Sequence, residues 1–314
     1  MYLSEIPSLH PRRSPGHLAM MPSLSVPRLQ IMLAALLMST SGAAIKTCDS
    51  FSSWQVACFR AGIAATVLLL IVPGVIRNFN FRTVAVGIAY AGASVLFVLA
   101  TKLTTAANAI FLQSTSPITI VLLSTWLLKE PLRRRDALFM AALAVGLSLF
   151  FLGSYQPTSS APDPARGNLF ALVSGLFWAI TVVGMRWLSH TGKNTGSTAS
   201  AAVTFGCVIA FAITLPMALP VQQSHTSDWL TVLYLGTFGV ALVFLLLSRA
   251  MKQVTAIETG LILLLEPALN PLWAWALQGE NPGLPALAGG AIILTATAVH
   301  TCWPVSVKTA SLSQ

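Results

Sequence analysis

Long stretches without a charged side chain alternate with short charged segments along most of this sequence. Seven stretches run for 19 to 34 residues without Asp, Glu, Lys or Arg, among them 103–128 and 194–227. An α-helix needs about 20 mostly apolar residues to cross a hydrocarbon layer of ~30 Å. The spacing of charges therefore predicts an all-α integral membrane protein with several transmembrane helices.

The composition excludes several other classes of protein. Only 9% of the 314 residues are charged, with 18 Lys/Arg and 9 Asp/Glu, against roughly 25% in a soluble domain. The net charge of +9 reports topology in a membrane protein, so no nucleic-acid partner is expected. The four cysteines are scattered without a CxxC pair, so neither a metal nor another cofactor is predicted.

Turn-forming residues divide the chain into ten predicted spans. The divisions include Pro73-Gly74, Lys129-Glu130-Pro131 and Asn281-Pro282-Gly283, which are typical of loops. The spans are predicted near 29–47, 54–73, 83–102, 105–128, 136–153, 167–189, 199–220, 229–249, 256–278 and 284–303.

The distribution of Lys and Arg predicts the orientation of these spans. With the N-terminus inside, fourteen basic residues lie in inner segments and three in outer segments, which leaves Arg60 within the second span. Cytoplasmic segments carry the excess of Lys and Arg in most membrane proteins. Both termini are therefore predicted to be cytoplasmic.

The sequence also predicts an internal repeat. At an offset of 150 residues, 100–141 aligns with 250–291 without a gap, pairing Pro117 with Pro267 and Glu130 with Glu280. Five spans per half make the second half enter the membrane from the opposite side, as in transporters with a site between inverted repeats. The alternative is a duplication that serves stability alone. The predicted domains are a disordered cytoplasmic tail (1–28), a first five-helix repeat (29–153), a linker (154–166), a second five-helix repeat (167–303) and a cytoplasmic tail (304–314).

Several motifs resemble a known family. They are Phe59-Arg60, the segment from Ala106 through Pro117 to Glu130, Trp178 ahead of Arg186, Glu266-Pro267 and Gly279-Glu280. Together they make the chain similar to the drug/metabolite transporter (DMT) superfamily, EamA type, although Met38 stands where the first helix of such proteins often has Trp.

The resemblance implies a secondary transporter of the bacterial cytoplasmic (inner) membrane. Similar proteins export amino acids and other small metabolites without ATP, driven by ion gradients or concentration differences. The implied partners are a small-molecule substrate and the lipid bilayer, with the chain acting as a monomer or a homodimer.

Arg60 and Glu266 are the two ionisable residues predicted within the spans as substrate contacts. Ionisable groups inside a bilayer are costly unless they face protein or a water-filled cavity. For Arg60, an anion or carboxylate contact stands beside the alternative of a side chain that reaches outward to the lipid headgroups. Glu266 lies near the centre of the ninth span and is predicted to couple protonation to transport. The alternative is a carboxyl that only holds a neighbouring helix.

Further candidates surround these two. Thr259, Glu266, Asn270 and Trp273 are spaced to share one face of the ninth helix, because residues three and four apart are helical neighbours. Pro117 and Pro267 each free one backbone carbonyl and are hinge candidates, with a tolerated kink as the alternative. The remaining substrate-cavity candidates are Tyr90, Asn108, Gln113 and Trp178, for which the competing interpretation is packing between helices.

Two rival functions remain open at this stage. An intramembrane enzyme needs a nucleophile with its base, paired aspartates or a metal motif, and the predicted spans contain no such pattern. A channel needs a filter-like loop or a ring of charges, which the sequence does not show either. We therefore expect a transporter and not an enzyme.

Overall fold

The computed structural model describes residues 25–72, 74–129, 134–153, 162–191 and 195–278, together with a few positions between 284 and 299. Regular secondary structure in these ranges is helical, with a 3-10 turn at Val75–Asn78 and π-helical segments at Ser124–Leu128 and Leu235–Leu242. The α-helices are α1 (Val26–Ser39), α2 (Ser41–Lys46), α3 (Ser53–Ile71), α4 (Phe81–Leu103), α5 (Ala106–Gln113), α6 (Ser116–Leu123), α7 (Arg134–Gly153), α8 (Pro164–Thr191), α9 (Thr195–Ala218), α10 (Thr226–Tyr234), α11 (Val243–Ala250), α12 (Ala256–Leu263) and α13 (Leu265–Gln278).

Seven stretches of the described residues are helical, apolar and long enough to cross a membrane. They are Val26–Lys46, Ser53–Ile71, Phe81–Leu103, Asn108–Leu128, Pro164–Ser189, Thr198–Ala218 and Thr226–Ala250. The predicted all-α membrane fold is therefore confirmed. Of the other predicted spans, the fifth falls on α7 and the ninth on α12 and α13. Most of the tenth, residues 154–161 of the linker, and the paired Glu130 and Glu280 lie outside the described residues.

Two spans that the sequence predicts as single helices are each divided by a short turn. The turn between α5 and α6 lies at Ser114 and Thr115, and the turn between α12 and α13 lies at Leu264. Pro117 and Pro267 follow within the first turn of α6 and α13, where the missing N–H and fixed φ of proline are tolerated best. The predicted spans at 105–128 and 256–278 are thus each interrupted just before their hinge-candidate proline.

The first span is divided as well, which the sequence analysis did not predict. Thr40 separates α1 from α2. The hydroxyl groups of Ser39 and Thr40 donate to the backbone carbonyls of Leu36 and Leu37, at 2.7 and 2.8 Å. Such side-chain hydrogen bonds compete with the helical ladder and often bend a helix.

Small residues let the central helices approach closely. A Cβ built at Gly206 of α9 would lie 2.5 Å from the carbonyl oxygen of Gly87 on α4. On α3, Ala57, Ala61 and Ala65 are buried. Close backbone approach through small residues is how membrane helices gain packing energy without a hydrophobic driving force. This packing holds α3 and α4, which line the cavity described next, against α9.

Candidate functional site

A small, partly open cavity lies between helices from both predicted halves of the chain. The first half contributes α1 to α5, and the second half contributes α8, the π-helical segment, α11 and α13. Its lining residues are Met38, Ser41, Arg60, Tyr90, Ala93, Ser94, Phe97, Gln113, Trp178, Gly239, Val240, Phe244 and Glu266. Five of the predicted substrate-cavity candidates share this wall, namely Arg60, Tyr90, Gln113, Trp178 and Glu266.

Arg60 faces the cavity from α3 and is only 5% exposed. Its Nη2 donates to the hydroxyl oxygen of Ser94 at 2.7 Å and to the Ser94 carbonyl oxygen at 3.1 Å. Its Nε is buried without a hydrogen-bond partner among the described residues. Because the guanidinium points toward α4 and the cavity, it does not reach the lipid headgroups in this conformation.

Glu266 faces the same cavity from the first turn of α13 and is 8% exposed. Among the described residues, no ion pair within 4 Å joins its carboxyl to Arg60. The guanidinium and the carboxyl therefore line the same cavity without pairing directly with each other.

Aromatic rings form the apolar part of the wall. Tyr90 and Phe244 meet edge to face with ring centroids 4.8 Å apart, and Trp178 meets Phe244 at 5.9 Å. Edge-to-face contact is a favoured geometry for aromatic pairs. The three rings therefore pack against one another and form an ordered apolar surface that an organic solute can contact.

Gln113 connects the cavity to the packing of two helices. Its Nε2 donates to the hydroxyl oxygen of Ser174 on α8 at 2.8 Å, and that hydroxyl donates to the carbonyl of Ala93 on α4 at 2.8 Å. Gln113 is also the last residue of α5, so its position depends on the turn that follows. It contributes to the wall and to helix packing at once.

Three predicted candidates are not among the lining residues. Asn108 lies in the first turn of α5, where its backbone N–H donates to the Thr105 hydroxyl at 3.1 Å. Asn270 is 1% exposed, and neither polar atom of its side chain has a hydrogen-bond partner in the described part of the chain. Trp273 donates from Nε1 to the hydroxyl of Ser39 at 2.9 Å.

The turn at Leu264, which divides the ninth span into α12 and α13, also interrupts the predicted common face of that span. Thr259 lies on α12, before the turn at Leu264, whereas Glu266, Asn270 and Trp273 lie on α13. The turn ends the continuous i, i+3 and i+4 stacking that the prediction assumed. Of the four, Glu266 lines the cavity.

Sequence reasoning missed several lining residues. Ser94 and Phe97 lie four and seven residues after Tyr90 on α4, so their helical spacing could have found them. Phe244 aligns with Ser94 at the 150-residue offset of the repeat, which is a weaker signal. Neither Ser nor Phe is unusual enough in a membrane helix to attract notice alone.

The arrangement suits reversible binding of a small organic solute. It offers a guanidinium, a carboxyl, hydroxyl and amide groups and aromatic faces. Within the described residues, no group of three or more His, Cys, Asp or Glu side chains is placed to hold a metal ion. Fold and site together define a multi-pass membrane protein with a mainly apolar cavity between its helices, into which a few polar and ionisable side chains face.

Comparison with known proteins gives the family. The model of the EamA-like transporter family matches residues 28–152 and 165–302. A protein of Archaeoglobus fulgidus described as an uncharacterized transporter is 30% identical over 217 residues, which are 69% of this chain and 71% of that protein. The chain belongs to the EamA-like transporter family, within the DMT superfamily, and is a membrane transporter.

A solved structure supports the fold. One crystal structure superposes with a TM-score of 0.70 over 88% of this chain and 96% of its own length, at 22% identity. At that identity the likeness extends to the fold alone. It shows that this arrangement of helices occurs in an experimentally determined protein.

Proposed function

We propose that this protein is a secondary transporter that exports small metabolites, such as amino acids or related organic solutes, by alternating access across the bacterial cytoplasmic membrane. The observation that carries the proposal is the cavity to which Arg60 of the first half and Glu266 of the second half both contribute. Ionisable groups buried in a membrane protein mark substrate and ion pathways. A cavity built by both halves changes its access when the halves move against each other.

The proposed architecture has ten spans in two inverted repeats, 29–153 and 167–303. The two separate family matches, 28–152 and 165–302, support the division. Helix caps support it too, because Thr105 accepts from the backbone of Asn108 and Thr255 accepts in the same way from Glu258, 150 residues later.

Basic residues at the ends of the first and sixth predicted spans give a second sign of the repeat. Lys46 donates from Nζ to the carbonyl of Thr104 at 2.9 Å, in the turn between α4 and α5. Arg186 donates to the carbonyl of Met251, in the turn between α11 and α12. Each half thus ties the first span of its own repeat to the turn before its fourth span.

We place both termini in the cytoplasm. The fourteen-to-three distribution of basic residues supports this orientation, since the excess of Lys and Arg marks the cytoplasmic side. The linker 154–166 then lies on the opposite face of the membrane, and the second repeat is inverted relative to the first.

The divided helices are the proposed moving parts. The turns at Ser114–Thr115 and at Leu264 interrupt corresponding spans of the two repeats, each beside a proline. Gln113 and Glu266 lie next to these turns and line the cavity. A small change of angle at either turn therefore changes the shape of the site itself.

In substrate recognition, Arg60 is the contact for a carboxylate or another anionic group. The Ser94 hydroxyl and carbonyl fix one terminal nitrogen of the guanidinium, which lowers the cost of ordering the side chain when the anion binds. Glu266 is the contact for an ammonium group or a proton that moves with the substrate. The rings of Tyr90, Trp178 and Phe244 contact the carbon skeleton.

The Glu266→Gln variant tests the coupling role. Glutamine keeps the shape and the hydrogen-bonding capacity of the side chain but does not titrate. In proteoliposomes, substrate exchange should continue in this variant, whereas uphill accumulation driven by a pH gradient should be lost. Ser116→Ala, at the corresponding position of the first repeat, is the matched control and should retain both activities.

Gradient-driven accumulation equal to that of the wild type in Glu266→Gln would contradict the coupling role.

The substrate for this assay comes from metabolite profiling of the medium of cells that overexpress the protein and of cells that lack it. We expect at least one small organic solute to be enriched outside the overexpressing cells.

A further inference from the structure

An ion pair joins the two halves of the molecule at the end of the bundle where α1 and α12 both begin. Arg28 Nε donates to Glu258 Oε1 at 2.7 Å, and the two side chains are 14% and 13% exposed. The residues are 230 positions apart in sequence, so the pair connects the first span of one half to the ninth span of the other. In the proposed topology this end faces the cytoplasm.

Glu258 of this pair lies at the capped N-terminus of α12. Glu258 is in the first turn of α12, where the Thr255 side chain accepts a hydrogen bond from its backbone N–H at 3.1 Å. An acidic residue in the first turn is favoured by the partial positive charge of a helix N-terminus. The cap therefore fixes the backbone of Glu258, and the helix N-terminus favours the negative charge of its side chain.

At the other end of the bundle, the side chains of the corresponding contact between the halves are uncharged. At the offsets of the repeat, Arg28 aligns with Asn168 and Glu258 aligns with Asn108. The Thr104 hydroxyl lies between these two amides, donating to Asn168 Oδ1 at 3.0 Å and accepting from Asn108 Nδ2 at 3.4 Å. Two equivalent contacts between the halves thus have different chemistry, ionic at one end and neutral at the other.

We propose that the Arg28–Glu258 ion pair closes the cytoplasmic end of the cavity and makes the resting transporter favour the state closed at that end. Hydrogen bonds between ionised groups are roughly twice as strong as those between neutral groups, and this pair is largely shielded from water. Opening at the cytoplasmic end must separate α1 from α12 and break the pair. Opening at the other end breaks the weaker Asn108–Thr104–Asn168 contact.

The inference rests on the proposed alternating access, but its test does not need the substrate. The reporter is Ser41→Cys, a cavity-lining position, in a protein whose four native cysteines are replaced by serine. A membrane-impermeant maleimide is applied from each side of sealed vesicles of both orientations. The labelling rates measure how often the cavity opens to each side.

Arg28→Gln and Glu258→Gln should each increase labelling from the cytoplasmic side several-fold. The charge-swapped double variant Arg28→Glu/Glu258→Arg should return the rate toward that of the starting protein. Asn168→Arg/Asn108→Glu installs a pair at the opposite end and should reduce labelling from that side. Asp163→Asn, which removes the ion pair of half-buried Asp163 with exposed Arg166 on the same segment, is the matched control and should change neither rate.

Two results would overturn the proposal. The first is unchanged cytoplasmic labelling in both single variants. The second is an increase that the charge swap does not reverse, because the effect then comes from disturbed packing and not from the lost pair. Failure of the transport function is a separate result, since a protein that moves no solute in proteoliposomes still reports its labelling rates.

Discussion

At the scale of single residues, Arg60 gives the cavity its positive charge. The guanidinium forms hydrogen bonds with Ser94 through one terminal nitrogen, which leaves the other terminal nitrogen to a ligand. Lysine keeps the positive charge but has no planar fork with which to hold both Ser94 and a carboxylate. The geometry of Arg60 is therefore expected to matter as much as its charge.

We expect Arg60→Lys to weaken the apparent affinity for an anionic substrate by about 10-fold or more, the range for one charged hydrogen bond. The maximal rate should change less. The measurement is the concentration dependence of transport in proteoliposomes. Arg77→Lys makes the same exchange at an exposed position outside the cavity and should behave as the wild type. A wild-type affinity in Arg60→Lys would remove Arg60 from the site.

The predictability of the site also differs from residue to residue. Arg60 and Glu266 could be predicted because ionisable side chains are costly in a membrane and therefore stand out. Ser94 and Phe244 could not, because their residue types are ordinary in membrane helices and their role depends on how α4 and α11 pack. Asn270 attracted notice for its polarity, but it is buried and is not among the residues that line the cavity.

At the scale of elements, the close approach of α9 to α4 packs directly against Tyr90, which lines the cavity. A Cβ at Gly206 would lie 2.5 Å from the carbonyl oxygen of Gly87 and 2.7 Å from the ring of Tyr90. Neither neighbour can turn away easily, since one is helix backbone and the other is a packed ring. The small residue at position 206 is therefore needed for the observed contact.

Gly206→Ala is expected to destabilise the protein by about 1–3 kcal/mol, the usual cost of overpacking, and to displace Tyr90. Denaturant unfolding of the purified protein in detergent measures the stability. Ala85→Val also adds volume, but at an exposed position on the facing helix α4, and it should leave the free energy of unfolding within error. An equal free energy of unfolding for Gly206→Ala and the wild type would contradict this prediction. It would mean that α4 and α9 can move apart without loss of stability.

Some of the helix divisions could be predicted from the sequence and others could not. Proline predicted interruptions of the fourth and ninth spans, because it removes a donor wherever it lies. The division at Thr40 has no such marker. Ser39 and Thr40 bond to the backbone of their own helix, and a hydroxyl in a membrane helix is as often accommodated without a bend.

At the scale of the whole molecule, the predicted repeat and the distribution of basic residues both indicate that the two halves have opposite orientations in the membrane. An odd number of spans per half forces the halves to opposite orientations, so the linker and the C-terminus must lie on opposite sides. A membrane protein with several spans could be predicted because hydrophobic length acts over whole segments. Ten spans and the pairing of the halves stay predictions. The location of the cavity required the packing of helices from both halves.

Reporter fusions test this topology. A reporter that is active in the cytoplasm should be active at the C-terminus and inactive when inserted at 154–166. A reporter that is active outside the cytoplasm should give the reverse. Equal activity of one reporter at both sites would contradict the inverted repeat, and with it the proposed movement of one half against the other.

The central claim, that this cavity carries substrate across the membrane, is tested most directly by transport with purified protein. Proteoliposomes with wild-type protein, Arg60→Ala or no protein are incubated with a mixture of amino acids and small organic acids, and mass spectrometry identifies what they take up. The account predicts at least one solute with an anionic group that enters the wild-type vesicles and is excluded from the other two. Equal uptake by wild-type and Arg60→Ala vesicles, or by wild-type and protein-free vesicles, would contradict it.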